Sequence, residues 1–210
     1  MKPIIFSGLG LPWQRSRPTR LFLLAALAMG LGISRDLWQM LPTNAQYTQT
    51  ATSSSLWQSA SFPVENFQAY TSGFGYRISP VTGQNQFHQG LDMAAPLGSY
   101  VRSWWTGTIV SLSDDTGCGT MIKIQSGQWT HIYCHLMGSV RSTPQGRFLV
   151  DQAGGIILVE GQIVPAGARV ARVGMSGQTT GPHLHWGLMY GNELIDPALV
   201  LQRMYGQRSS

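Results

Sequence analysis

Hydrophobic positions in this chain fall in short alternating runs rather than in long helical stripes. In Gly181-Pro182-His183-Leu184-His185-Trp186 two histidines stand two positions apart. On an extended backbone they share one face, and Leu184 and Trp186 share the other. Pro182 favours an extended Gly181 and disfavours a helix. The run therefore predicts a strand with one apolar face and one face carrying two imidazoles. Val101–Leu112 and Thr120–Gln125 are further strand-forming runs, separated by the turn residues Asp114-Asp115-Thr116-Gly117. Met121–Gln125, Ser126-Gly127 and Trp129–Leu136 predict a hairpin. Strict alternation on its second strand puts His131, Tyr133 and His135 on a polar site face, and Ile132, Cys134 and Leu136 on a core face. Phe74–Ile78 reads as a short strand, and Ile156–Val173 alternates strands with turns. Near the C-terminus, Glu193–Met204 predicts a short helix with Asp196 as its cap and Pro197 at its first position.

The N-terminal quarter follows a different pattern. Leu21–Ile33 is an uncharged apolar run bounded by Arg20 and by Ser34-Arg35. As a helix it would cover about 20 Å, short of a ~30 Å hydrocarbon core. A basic segment before a short apolar run reads as a secretory signal, with Thr43-Asn44-Ala45 as a cleavage site. An uncleaved membrane anchor is the competing reading. Residues 46–66 are rich in Ser, Thr and Gln and read as a polar linker, although Trp57 and Phe62 could dock on a folded surface. The expected organisation is a leader over 1–45, a linker over 46–66, a folded domain over 67–204 and a tail over 205–210.

Composition sharpens this picture. Among 210 residues, Gly 25 and Pro 11 fit a turn-dense β protein. The net charge of +5 belongs mostly to the leader, where Lys2, Arg15, Arg17, Arg20 and Arg35 face only Asp36. The remainder is nearly balanced, which argues against a nucleic-acid surface. Cys118 and Cys134 fall nearly opposite each other across the predicted hairpin. In an exported protein that favours a disulfide, worth about 3 kcal/mol in the chain-entropy model. Two buried thiols or two thiolate ligands are the alternatives, the latter disfavoured because alternation turns Cys134 away from His135.

The candidate chemistry lies in the five histidines. In His88-Gln89-Gly90-Leu91-Asp92, positions i and i+4 share a face of an extended chain, so one imidazole and one carboxylate can converge as zinc donors. Gly90 between them permits a close backbone approach or an unusual dihedral. His131 and His135 share the predicted face on the hairpin, and His183 and His185 share theirs. The stretches FGYRISPVTG, FHQGLDMAAPLG, YCHL, GQIVPAGARVARVG and SGQTTGPHLHWGL stand in the order and spacing of one family. Over roughly residues 70–200 the chain resembles the lysostaphin/LytM-type zinc metallopeptidases.

The resemblance implies a mainly β fold, a compact antiparallel β-sheet domain of LytM-like, duplicated-hybrid-motif type with few short helices. It implies one Zn2+ per chain, held by His88, Asp92 and His185. Three protein donors leave a coordination position for water, as in catalytic rather than structural zinc sites. It further implies that His183 and His135 are catalytic without binding the metal, His183 moving protons and His135 meeting the developing oxyanion. Tyr133 and His131 are weaker candidates for substrate contact, with packing as their alternative. The implied substrate is the peptide part of peptidoglycan, cleaved in stem or cross-bridge, and the implied location is the periplasm or cell envelope. The leader would contact the membrane during export, or anchor the chain there through residues 21–33.

Two features depart from the family pattern. Trp104-Trp105 stands where small residues are usual and reads as packing or a cleft wall. The segment 141–154 is long and is expected to rim the groove. A non-catalytic relative that binds the wall or activates an amidase is the main competing function, but such relatives typically lose ligands or catalytic histidines that this chain keeps. A closed structural zinc site would need a fourth protein ligand, which the motifs do not supply. A peptidase acting on other secreted proteins is the third alternative.

Overall fold

A computed structural model describes residues 60–206. The apolar run at 21–33, the cleavage site at 43–45 and most of the linker lie outside the described residues. Fifteen strands and one α-helix make up the described fold. Its main sheet is antiparallel and carries the candidate site. In spatial order it runs β1 (Ala69–Ser72), β4 (Leu91–Ala94), β14 (His183–Tyr190), β8 (Trp129–Cys134), β7 (Met121–Ser126), β6 (Gly107–Ser113) and β12 (Ile163–Val164). β15 (Glu193–Ile195) pairs with the second half of β14, beyond the stretch that β4 covers. Two short pairs, β2 (Gly75–Ile78) with β3 (Asn85–His88) and β5 (Tyr100–Arg102) with β13 (Arg169–Arg172), flank it.

β14 forms as its alternation predicts. Leu184, Trp186 and Leu188 are fully buried, whereas His183 and His185 stay partly exposed on the opposite face. The β7–β8 hairpin also forms. Ser126 pairs with Trp129, leaving a two-residue turn in which Gly127 has φ 60°, a conformation that favours glycine. The helix α1 (Pro197–Gly206) starts at Pro197, and the amide of Ala198 donates to the Asp196 carboxylate at 2.9 Å. Glu193–Ile195, expected as the start of this helix, is strand instead.

The face assignment on β8 is corrected. His131 and Tyr133 are both fully buried in the core, not on the site face. They oppose Leu188 and Trp186 of β14, whose side chains fill the same core. The reason is local: His135 has φ 61°, a left-handed backbone that breaks the alternation just past the strand end. His135 therefore does not follow the face of His131 and Tyr133. Neither of those two can touch a substrate.

They form a buried polar chain instead. The Trp104 amide donates to the Tyr133 hydroxyl at 2.7 Å, and that hydroxyl donates to His131 Nδ1 at 2.7 Å. His131 Nε2 donates to Ser126 Oγ at 2.9 Å, which donates in turn to the Thr106 carbonyl at 2.9 Å. Every member is satisfied with His131 neutral. Burial pushes the His131 pKa from 6.5 down to about 3. The unfolded chain thus takes up a proton near pH 6.5 that the folded chain refuses until near pH 3. Stability is complete above that window and is lost as pH falls through it, by up to about 1.4 kcal/mol per unit. Urea unfolding of metal-free protein between pH 7 and pH 4 is expected to show this slope, to which His135 also contributes, and His131→Gln is expected to reduce it without abolishing it.

Trp104 occupies the centre of the core, fully buried. Its ring meets Trp105, Trp129 and Trp186 edge-on at centroid distances of 5.2, 5.4 and 5.8 Å. It is a packing residue and not a cleft wall. The segment 141–154 belongs to a separate three-stranded sheet of β9 (Ser139–Thr143), β10 (Gly146–Asp151) and β11 (Ile156–Val159). Leu149 anchors it in the core, and Asp151 pairs with the Arg172 guanidinium through contacts of 2.6 and 2.7 Å. None of residues 141–154 lines the groove, so the expected rim is not formed there. Residues 60–66 lie along β5: Val64 bridges Val101, and the amides of Ser61 and Glu65 donate to the carbonyls of Trp104 and Tyr100.

Candidate metal centre and groove

Sheet register assembles the centre. His185 on β14 is paired with Asp92 on β4 on one side and with Cys134 on β8 on the other. His88, at the end of β3, reaches the same point from the neighbouring hairpin. His88 Nε2 lies 3.1 Å from Asp92 Oδ1 and 2.9 Å from His185 Nδ1, and His185 Nδ1 lies 2.8 Å from Asp92 Oδ1. His88 and Asp92 are buried, and His185 is partly open to the groove.

The protons do not account for this triangle. His88 Nδ1 donates to the Gly73 carbonyl at 2.7 Å, which assigns a bare lone pair to Nε2. Two imidazole nitrogens and a carboxylate oxygen then converge, and one proton on His185 can satisfy only one neighbour. A cation at their centre relieves all three, and two nitrogens with one oxygen form a donor set suited to zinc. The Gly73 carbonyl supplies an outer hydrogen bond of the kind that would fix a liganding imidazole. Burial alone would raise the Asp92 pKa, but the adjacent imidazoles of His185 and His88 outweigh it and hold the carboxyl well below its ordinary range.

Gly90 is required here for space. A Cβ at this position would lie 2.6 Å from the Trp186 carbonyl oxygen and 2.8 Å from both Cε1 and Nε2 of His185. Gly90→Ala is therefore expected to displace the His185 ring and weaken metal affinity by roughly 10- to 100-fold, read by competition with a chromogenic chelator.

Two further imidazoles flank the triangle. His183 Nε2 is 3.6 Å from Asp92 Oδ1, and its Nδ1 donates to the Gly181 carbonyl at 2.8 Å. The His135 ring lies 4.8 Å from that of His183, centroid to centroid. His135 Nδ1 donates to the Ser176 carbonyl at 2.9 Å. Burial pushes the His135 pKa down to about 4 despite that opposing hydrogen bond. The His135 ring is thus neutral at pH 7, and both rings leave Nε2 facing the groove.

The structure brings together His88, Asp92, His135, His183 and His185, and leaves Tyr133 and His131 in the core. Cys118 and Cys134 stand opposite each other with their Cα atoms 5.0 Å apart, a spacing that suits a disulfide. The His135 amide donates to the Cys118 carbonyl at 2.9 Å, so the pair holds the His135 backbone against the 116–119 turn. The surrounding groove has a volume of about 510 Å³. Sequence reasoning missed the Gly73 and Ser176 carbonyls, which no residue-type signal marks, and Arg77. Arg77 stands inside FGYRISPVTG, but its partner is fixed only by the β2–β3 fold.

Comparisons with known proteins bear on the family and the fold. Residues 86–197 match the family described as Peptidase family M23. The peptidoglycan DD-endopeptidase ShyB of Vibrio cholerae serotype O1 is 30% identical over 138 residues, which are 64% of this chain and 28% of that protein. A crystal structure of a zinc containing peptidase from Vibrio cholerae is similar at 30% identity with a TM-score of 0.51, over 64% of this chain and 37% of that one. The catalytic domain of the antimicrobial peptidase lysostaphin from Staphylococcus simulans shares the fold at 23% identity and a TM-score of 0.52, over 65% of this chain and 93% of that one. The chain spans less than a third of the curated relatives it matches.

Proposed function

This chain belongs to peptidase family M23, and on that premise we propose that it is a zinc-dependent endopeptidase cleaving stem or cross-bridge peptides of peptidoglycan. The observation that carries the reading is the convergence of His88 Nε2, Asp92 Oδ1 and His185 Nδ1, with His183 Nε2 3.6 Å from the same carboxylate oxygen. These three atoms would hold the zinc ion. When bound, zinc lowers the pKa of a coordinated water towards ~7 and polarises the substrate carbonyl.

The protein's own residues handle the protons and the geometry. His183 is anchored through Nδ1 by the Gly181 carbonyl, so its Nε2 lone pair is free to accept the proton of the attacking water. The same Nε2 then returns that proton to the leaving amine. His135, held through Nδ1 by Ser176, also presents a lone pair at rest. The oxyanion role drawn from the resemblance becomes available to His135 only once its Nε2 carries a proton. Burial of His88 and Asp92 limits water around the centre, while the open groove admits a peptide.

The basic, apolar leader supports action outside the cytoplasm, in the periplasm or cell envelope, either after cleavage or anchored through residues 21–33. The name of the Vibrio cholerae relative supports peptidoglycan as the polymer. Purified peptidoglycan digested with and without a chelator tests the reading. New amine ends are expected without the chelator and none with it; no new ends under either condition would favour a non-catalytic regulator.

A further inference from the structure

Building on the peptidoglycan reading, we propose that Arg77 forms a subsite for a substrate carboxylate lying about one residue or less from the scissile bond. Such a subsite selects cross-links made through diaminopimelate over uncharged glycine bridges.

Arg77 lies on β2, opposite Gln86 of β3, and both line the groove. Its Nη2 is 3.5 Å from Asp92 Oδ2. The other oxygen of that carboxylate, Oδ1, is the one that meets His88 and His185. The guanidinium thus stands one carboxylate's width from the centre. A strand advances about 3.3 Å per residue, so a group bound there belongs to the residue bearing the scissile amide or to its immediate neighbour.

The donors of Arg77 are under-used. A guanidinium has five N–H donors, and the contact with Asp92 is the one ion pair it makes among the described residues. Its Nε is buried with no hydrogen-bond partner. About a quarter of the side chain remains exposed, at 26%. Among the groove-lining residues Arg77 is the sole Lys or Arg, and Asp92, already committed to the histidines, is the sole carboxylate. The groove therefore offers one cationic fork whose protein anion, Asp92, meets it through a single 3.5 Å contact and leaves donors over. A planar carboxylate is the ligand that such a fork recognises.

The two classes of cross-link differ in that group. An amide formed on the side-chain amine of diaminopimelate has a free carboxylate on the carbon that bears the scissile nitrogen. A glycine bridge has no carboxylate along its length.

Two synthetic peptides identical except for that carboxylate, free in one and carboxamide in the other, test the inference with the full-length zinc-loaded chain. The wild type is expected to favour the free carboxylate by roughly ten- to hundredfold in kcat/KM. In Arg77→Gln the preference is expected to fall below about threefold, mainly through a higher KM. Arg77→Lys, which keeps the charge without the fork, is expected to lie between. A wild-type ratio near one would overturn the inference and leave the peptidase reading intact. Equal loss on both peptides in Arg77→Gln would also overturn it, showing that Arg77 only orients Asp92. Wild-type protein that cleaves neither peptide nor peptidoglycan would end both readings.

Discussion

His183→Ala is expected to lower kcat/KM on peptidoglycan by roughly 10²- to 10⁴-fold while leaving the metal content of the protein unchanged. The ring sits beside the triangle but outside it, 3.6 Å from Asp92 Oδ1 against the 2.8 Å of His185 Nδ1. Its other nitrogen is tied to the chain by the Gly181 carbonyl, and Thr179 Oγ1 lies 3.3 Å from that same nitrogen. Truncation therefore removes a proton acceptor and leaves the three donors in place. His185→Ala makes the contrast, since it deletes a donor and is expected to lose activity and metal together. Mass spectrometry of fragments released by wild type but not by His183→Ala reads the activity and identifies the bond. Elemental analysis of both variants reads the metal. Loss of zinc from His183→Ala would reassign that residue as a ligand.

Trp104→Ala is expected to destabilise the domain by about 3–5 kcal/mol. The indole is fully buried among three other tryptophans and also touches the His131 ring at 5.6 Å. Its Nε1 donates to the Met204 sulfur of α1 at 3.1 Å, which ties the helix to the sheet. Removing the side chain opens a large cavity that the surrounding rings cannot close, because each is held by other neighbours. For a domain of this size the melting temperature is expected to drop by about 6–20 °C in a calorimetric scan. Trp105 is only partly buried, so Trp105→Ala is expected to cost less. Equal shifts for the two variants would contradict the central place given to Trp104.

The legible parts of the sequence were those governed by local periodicity. Alternation in His183–Trp186 foretold β14 and its two faces, because the strand is regular over its whole length. The His88–Asp92 spacing and the family resemblance foretold the cluster, and register on the sheet then brought Asp92 beside His185. The same rule failed on β8, where a single positive φ at His135 reverses the face. A left-handed residue that is not glycine leaves no mark in an alternation pattern. Phe62 and Val64 lie in a polar stretch, and their packing depends on β5, which is distant in sequence. Arg77 illustrates the same limit, since its ion pair is made across a hairpin and onto another sheet.

The pairing of β14 with β4 and β8 has a consequence for how such a domain can vary. Asp92 and His185 are spaced by a ladder of backbone hydrogen bonds, whereas the turns at 79–83, 116–119 and 177–181 form the banks. Of these, the 116–119 and 177–181 turns hold His135 and His183 through the Cys118 and Gly181 carbonyls, whereas the tip at 79–83 anchors neither ring and is the bank free to drift or to be exchanged. Reshaping that tip need not disturb the side chains gathered beneath it.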